Sequence, residues 1–184
     1  SGLKWATCNV GATQPEEYGD YFAWGEVEPK KTYSWPTYKY GTNSDQLTKY
    51  CNKSNYGKDG FTDNKIVLDL EDDAAHVNWG GAWRMPTKAE QDELRTKCTW
   101  DWTTQNGVKG YKVVGPNGNS IFLPAEGYMY GGSLFTAGSD GYYWSSSLYT
   151  GIPDFASEVY FDSDYVYGGS TSRVYGHSVR PVCQ

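Results

Sequence analysis

Rings rather than branched aliphatics carry the apolar volume of this chain, and that constrains its fold more than any other feature. Aromatics make up 17% of the residues, with 17 Tyr, 8 Trp and 6 Phe, inside a hydrophobic fraction of only 38%. A buried Tyr or Trp needs a partner for its O–H or N–H, so such a core must thread polar groups among its rings. The composition predicts a loop-rich domain with polar aromatic packing. It argues against disorder, since disordered chains are poor in aromatics. At 184 residues the chain is expected to form one domain, 1–184, able to bury a core without metals or disulfides.

Charge is unevenly spread. Of the net −6, residues 113–184 contribute −4: only Arg173 and Arg180 stand against Glu126, Asp140, Asp154, Glu158, Asp162 and Asp164, and no Lys follows Lys112. An acidic C-terminal third repels phosphate backbones, which argues against nucleic acid as a partner. No apolar run approaches the roughly 20 residues of a membrane span. Cys8, Cys51, Cys98 and Cys183 are too dispersed for Cys-pair metal motifs. They permit two disulfides in any connectivity, or four reduced thiols. Cys8 and Cys183 lie near the two ends, which suits a fold whose ends meet.

The clearest helix spans 88–97: Thr87 is a good N-cap, Glu90 completes a capping box, and Pro86 precedes the cap. Ala89 and Leu94 are its inward candidates. Residues 44–50 form a second candidate helix, kept short by flanking Gly and Asn. Residues 110–114 and 120–123 flank Pro116-Asn117-Gly118-Asn119, two apolar strands around an Asn-Gly turn and hence a hairpin. Further strands are expected at 142–146, 157–161 and 178–182. The class is α+β, two short helices on small antiparallel sheets with much irregular loop.

Several stretches carry a family resemblance: Trp5-Ala6-Thr7-Cys8-Asn9-Val10-Gly11-Ala12, Gly19-Asp20-Tyr21-Phe22-Ala23-Trp24-Gly25-Glu26 and Trp79-Gly80-Gly81-Ala82-Trp83-Arg84-Met85-Pro86-Thr87. Further on come Gly118-Asn119-Ser120-Ile121-Phe122-Leu123-Pro124-Ala125, Tyr143-Trp144-Ser145-Ser146-Ser147 and Gly176-His177-Ser178-Val179-Arg180-Pro181-Val182. In this order they resemble the Fibrobacter succinogenes major paralogous domain, a family of secreted bacterial proteins. The resemblance implies a C-type-lectin-like fold, shared with formylglycine-generating enzymes. It also implies export, often as a lipoprotein anchored at the cell surface.

A narrower resemblance concerns 149–175, which looks like the variable segment of proteins diversified by retroelements. There an Asn-rich template is copied with errors at adenines. An Asn codon ending in cytosine then yields Tyr, Ser, Gly, Asp, Thr, Ile, Phe or Val, but never Lys, Glu, Gln, Met or Trp. Residues 159–182 contain none of those five, and no Asn follows Asn119. The matching positions are Tyr149, Asp154, Phe155, Tyr160, Asp162, Asp164, Tyr165, Tyr167, Gly168, Gly169, Ser170, Thr171, Ser172, Val174 and Tyr175. Glu158 departs from the scheme and is expected to belong to the scaffold.

The physical case for binding stands beside that history. Along 157–161, Val159 and Phe161 alternate with Glu158 and Tyr160, which places the first pair inward and the second on the surface. Beyond Asp162 the chain is mainly Tyr, Gly, Ser, Thr and Asp. Antibody loops use this chemistry, Tyr giving contact area at low entropy cost and Ser and Gly adaptable hydrogen bonds. Exposed Tyr165, Tyr167 and Tyr175 are the expected hot spots. The bland alternative packs these rings under their own loops.

Catalytic and metal readings are weaker. His76 and His177 are the only histidines, too few for a zinc site of three or four His/Cys ligands. Ser145-Ser146-Ser147 with His177 lacks a nucleophile-elbow pattern. Glu71-Asp72-Asp73 lacks EF-hand spacing and fits a solvated acidic turn or a helix start. The lectin calcium motifs and the close cysteine pair of formylglycine-generating enzymes are both missing. Trp79, Trp83, Arg84, Trp144 and Arg180 are expected to be structural. No cofactor is expected. The sequence points to a non-catalytic domain binding a protein or glycan, with a carbohydrate-binding module or an adhesin-tip domain as alternatives.

Overall fold

A computed structural model describes residues 1–184 as an α+β arrangement of small antiparallel sheets, two helices and long loops. Strand β1 (Lys4–Trp5) pairs with β10 (Val182–Cys183), Lys4 opposite Cys183, so the ends meet. All four cysteines are free thiols. Between the ends come α1 (Ala74–Trp79), α2 (Lys88–Lys97) and a sheet of β2 (Thr99–Gln105), β3 (Val108–Val114) and β4 (Ser120–Pro124). A short hairpin, β5 (Tyr128–Tyr130) and β6 (Ser133–Phe135), leads to a second sheet of β7 (Gly141–Leu148), β8 (Phe155–Phe161) and β9 (Val166–Ser172). Residues 178–182 are extended but mostly make isolated bridges, such as Tyr143 with Ser178, and only Val182–Cys183 becomes a strand.

Helix α2 falls on the expected residues, and its capping box is formed. Thr87 Oγ1 accepts from the Glu90 N–H at 3.3 Å, and Glu90 Oε2 accepts from the Thr87 N–H at 2.8 Å. Arg84 grips the same carboxylate through two bonds of 2.8 and 2.7 Å. The buried side chains are Gln91 and Leu94; Ala89 is exposed, a correction, because the core-facing stripe runs three residues apart through 91 and 94. Replacing Thr87 with Ala should cost about 1 kcal/mol, measurable as a lower urea midpoint at unchanged slope.

Residues 44–50 are not helical. Buried Leu47 uses its backbone across a loop instead, donating to Tyr56 O and accepting from the Lys58 N–H, both at 2.9 Å. The other helix is α1, started by Asp73, whose Oδ1 accepts from the His76 N–H at 2.9 Å. Asp73 also accepts from the Met85 N–H at 2.8 Å, tying the two helices' approaches together. The acidic run is thus a helix start, as one of its two readings had it.

Buried rings do thread polar groups among themselves. Trp24 Nε1 donates to Ser145 O and Trp144 Nε1 to Phe22 O, each at 2.8 Å. Tyr38 Oη donates to Trp24 O at 2.7 Å and Tyr33 Oη to Tyr21 O at 2.6 Å. One core cluster centres on Trp24, Tyr50 and Trp144. A second lies between α2 and the two sheets, around Leu94, Tyr111, Val159 and Phe161. Two arginines are buried without a carboxylate within ion-pair reach, Arg173 and Arg180. Arg180 Nε donates to Asn9 Oδ1 at 2.8 Å, and its Nη atoms donate to Ala6 O and Phe122 O at 3.1 and 3.0 Å.

Candidate functional site

The β7–β8–β9 register decides which residues share a surface. Tyr142 stands opposite Tyr160, and Tyr160 opposite Tyr167. Cross-strand partners point to the same face, so the three phenols form one row. Tyr142 and Tyr160 rings are 4.9 Å apart and Tyr160 and Tyr167 rings 4.8 Å, tilted by 60° and 46°. The row continues past the sheet: Tyr142 meets Tyr128 edge-on at 5.0 Å, and Tyr128 stacks on Tyr175 at 5.5 Å and on Phe135 at 5.4 Å. Tyr130 closes on Tyr175 at 4.9 Å. Rings contributed by β5, β6, β7, β8, β9 and residue 175 thereby make one unbroken aromatic ladder. Its outer members are well exposed, Tyr167 at 49% and Tyr130 at 48%.

The candidate positions fall into groups. Tyr160, Tyr167 and Tyr175 belong to the ladder. Asp162 and Asp164 form the β8–β9 turn with Tyr165, whose ring is 66% exposed and outside the ladder; Asp162 Oδ1 accepts from the Asp164 and Tyr165 N–H groups, both at 2.9 Å. Tyr149 is exposed in the 149–154 loop, which rests on Asn52 and Lys53 through the carbonyls of Thr150 and Gly151. Thr171 shares the tyrosine face, but Phe155, Ser170 and Ser172 are half-buried on the opposite one. That opposite face lies against α2: a Cβ added at Gly168 would stand 3.2 Å from Asp92 Oδ1. Segment 149–175 is therefore not one continuous surface.

Four positions need correction. Val174 is 1% exposed and packs with Tyr33 and Tyr38; an apolar side chain one residue past a buried arginine has nowhere else to go. Asp154 is buried, its backbone O accepting from the Arg173 N–H at 3.0 Å, and burial pushes its carboxyl pKa up. Tyr175 is half-buried rather than free, stacked in the ladder and packed on the core. Glu158, expected on the surface, is buried beside Trp144 and His177. Its Oε2 lies 2.9 Å from His177 Nδ1, off hydrogen-bond alignment, and His177 stacks on Trp144 with centroids 4.0 Å apart.

Sequence reasoning also missed members of the surface. Tyr128, Tyr130, Phe135 and Tyr142 lie before residue 149. Alternation in Tyr128-Met129-Tyr130 and Ser133-Leu134-Phe135 around Gly131-Gly132 was the available signal, a hairpin with one aromatic face.

Elsewhere, apparent chemistry is spent on structure. Ser145 Oγ donates to Ser157 O at 2.7 Å and Ser146 Oγ to Pro86 O at 3.4 Å, so neither hydroxyl is presented to His177. The carboxylates of Asp69, Glu71 and Asp72 converge within 4.8 Å, but the Lys49 ammonium already sits among them at 2.9, 3.1 and 2.6 Å. Asp72 is buried rather than solvated. Burial opposes its ionisation, but Lys49, Tyr40, Tyr50 and Lys39 outweigh that and pull its pKa down to about 2. Glu126 behaves oppositely: burial raises its pKa well above the ordinary 4.5, although its Oε1 accepts from the Tyr142 N–H at 2.7 Å.

The two groups set opposite limits on stability. A depressed carboxyl stabilises above its unfolded pKa and loses that contribution as pH falls through the folded value; a raised one loses stability as pH rises above its unfolded pKa. Acid unfolding should therefore steepen between the ordinary Asp value of 3.8 and about 2. Glu126→Gln, which keeps an acceptor for the Tyr142 N–H, should remove part of the decline in stability above pH 4.5. Denaturant midpoints of both proteins between pH 2 and pH 9 check this; parallel curves would refute the Glu126 assignment.

Fold and surface together define an α+β protein with a broad exposed aromatic face. No family model, curated protein or solved structure matches the chain. No helix is long and apolar enough to cross a membrane.

Proposed function

We propose that the chain is a non-catalytic, surface-displayed binding domain of the C-type-lectin-like fold, secreted and anchored at a bacterial cell surface, whose contact face is the aromatic ladder with the 162–165 turn. The observation that carries this reading is the continuity of the ladder from Tyr130 to Tyr167 through ring contacts of 4.8–5.5 Å. Tyr supplies large, stiff contact area and a phenol for hydrogen bonding, the chemistry of hot spots. The paired termini and the position of Tyr160, Tyr167 and their neighbours on a hairpin are compatible with the lectin-like resemblance and with diversification at 149–175.

A protein ligand fits better than a glycan. Sugar-binding platforms present rings in one plane, whereas here neighbours are tilted by 46–69° or stacked on each other. The test is an array of surface proteins and oligosaccharides probed with the native chain and with Tyr167→Ala. Binding that survives the substitution unchanged would reject the ladder as the contact face. Sequencing the adjoining DNA for a reverse transcriptase and an Asn-rich template repeat tests diversification separately.

A further inference from the structure

We infer that the tyrosine row of β7, β8 and β9 takes an arginine or lysine side chain of a protein partner, seated on the Tyr160 and Tyr167 rings and paired with Asp140 and Asp162. The inference rests on the binding reading above and adds the chemistry of the partner.

It starts from an asymmetry between the two aromatic regions. In the N-terminal half five rings, Trp24, Tyr33, Tyr38, Tyr40 and Tyr50, are covered by the chain's own cations. Lys30 lies over Tyr33 and Tyr38 at 5.7 and 5.9 Å, and Lys39 and Lys49 lie over Tyr40 at 4.9 and 5.5 Å. Arg173 is placed over Trp24 and Tyr38 at 5.1 and 5.3 Å. No ring of the ladder has such a cover. The cations that follow Lys112, Arg173 and Arg180, are buried elsewhere.

What surrounds the row instead is negative. Tyr142 Oη is 3.3 Å from Asp140 Oδ2, Tyr160 Oη is 3.4 Å from Asp162 Oδ2, and Asp164 occupies the same turn. Burial first, then the charges of Asp140 and Asp162, raise the Tyr160 phenol pKa. One rung further along the same face is Glu158, more than nine-tenths buried, whose Oε2 lies 2.9 Å from His177 Nδ1 but off hydrogen-bond alignment. Its Oε1 would be 3.2 Å from a Cβ at Gly169, so the glycine leaves that carboxylate close to the strand's surface. The nearby helix cations Lys88 and Arg95 are engaged with Asp92, which faces the other side of β9.

Ring faces attract cations, and flanking carboxylates add to that attraction. Guanidinium suits both at once, stacking flat on a phenol while its N–H fork meets a carboxylate. A neutral sugar can donate hydroxyls to these carboxylates but gains no charge attraction from them, and an acidic partner is repelled.

The experiment titrates the full chain with hexa-arginine, hexaglutamate and maltohexaose, following heat and tyrosine fluorescence. Hexa-arginine should bind, and binding should weaken about tenfold between about 50 and 500 mM salt. Tyr167→Ala and the double variant Asp140→Asn/Asp162→Asn should each weaken it by about fivefold or more. Asp59→Asn, an exposed carboxylate in the 58–60 turn, should change it less than about twofold. Equal effects of Asp59→Asn and the double variant would mean diffuse attraction and overturn the inference, as would equal binding of hexa-arginine and hexaglutamate. If hexa-arginine fails while another array ligand depends on Tyr167, the cation preference falls and the binding face stands. If no ligand depends on Tyr167, both fall.

Discussion

Replacing Arg173 with Ala is expected to destabilise the protein by about 3–5 kcal/mol, the largest effect of any single change in the C-terminal third. Its Nε donates to Tyr38 Oη at 2.9 Å, Nη1 to Tyr50 O and Pro153 O at 2.9 and 3.1 Å, and Nη2 to Lys49 O at 2.9 Å. One side chain thus gathers the 38–50 loops, the 149–154 loop and the end of β9. Truncation would strand three carbonyls in a dry interior and open a hole among Trp24, Tyr38 and Tyr50. Arg173→Lys restores charge without the planar fork and should recover only part of the loss. Urea titrations of the three proteins decide the matter; a cost below about 1 kcal/mol for Ala would mean that water replaces the guanidinium.

The double variant Tyr165→Ala/Tyr167→Ala should do the reverse, leaving stability within about 0.5 kcal/mol while costing at least about 2 kcal/mol of binding, near thirtyfold. Tyr165 is 66% and Tyr167 49% exposed, Tyr167 touching only the neighbouring Tyr160 ring of the ladder, and β9 is held to β8 by backbone bonds along its length. Tyr175→Ala is expected to show both effects, because that ring packs on two core clusters as well as in the ladder. Thermal melts beside affinity measurements separate the cases. A large fall in melting temperature for the Tyr165/Tyr167 pair would assign these rings to folding instead.

The sequence carried the local elements well and the surface poorly, for a physical reason. The capping box at Thr87 and Glu90 and the Asn-Gly turn at 117–118 are short-range devices whose chemistry lies within a few residues. Helix α1 was legible only as one of two readings of the acidic run: its cap is local, Asp73 to the His76 N–H, but the helix is just six residues long and shows no apolar period. Alternation along β8 placed Val159 and Phe161 inside correctly, but it assumes that one face of a strand meets water. Here Trp144 and His177 cover part of the other face, so Glu158 is buried while Tyr160, two residues on, is half-exposed. Val174 and Asp154 failed similarly: polar neighbours suggested a loop surface, yet Arg173 between them draws the chain inward. The ladder itself is a matter of register, Tyr142 to Tyr160 to Tyr167, and of β5 docking alongside. Neither is written in any one segment.

The pairing of β8 with β9 has a practical side. Hairpin rungs made by amide and carbonyl groups are indifferent to what hangs from the outward-facing positions, and the buried guanidinium at 173 clamps the far end of the strand. A synthetic library randomised at 160, 164, 165, 167 and 171, with 173, 174 and 158 left untouched, would keep its scaffold while every clone carried a different face. The protein is in that sense a ready-made frame for selecting new affinity reagents, and one whose four cysteines are free thiols, so that no oxidative step is required for its production.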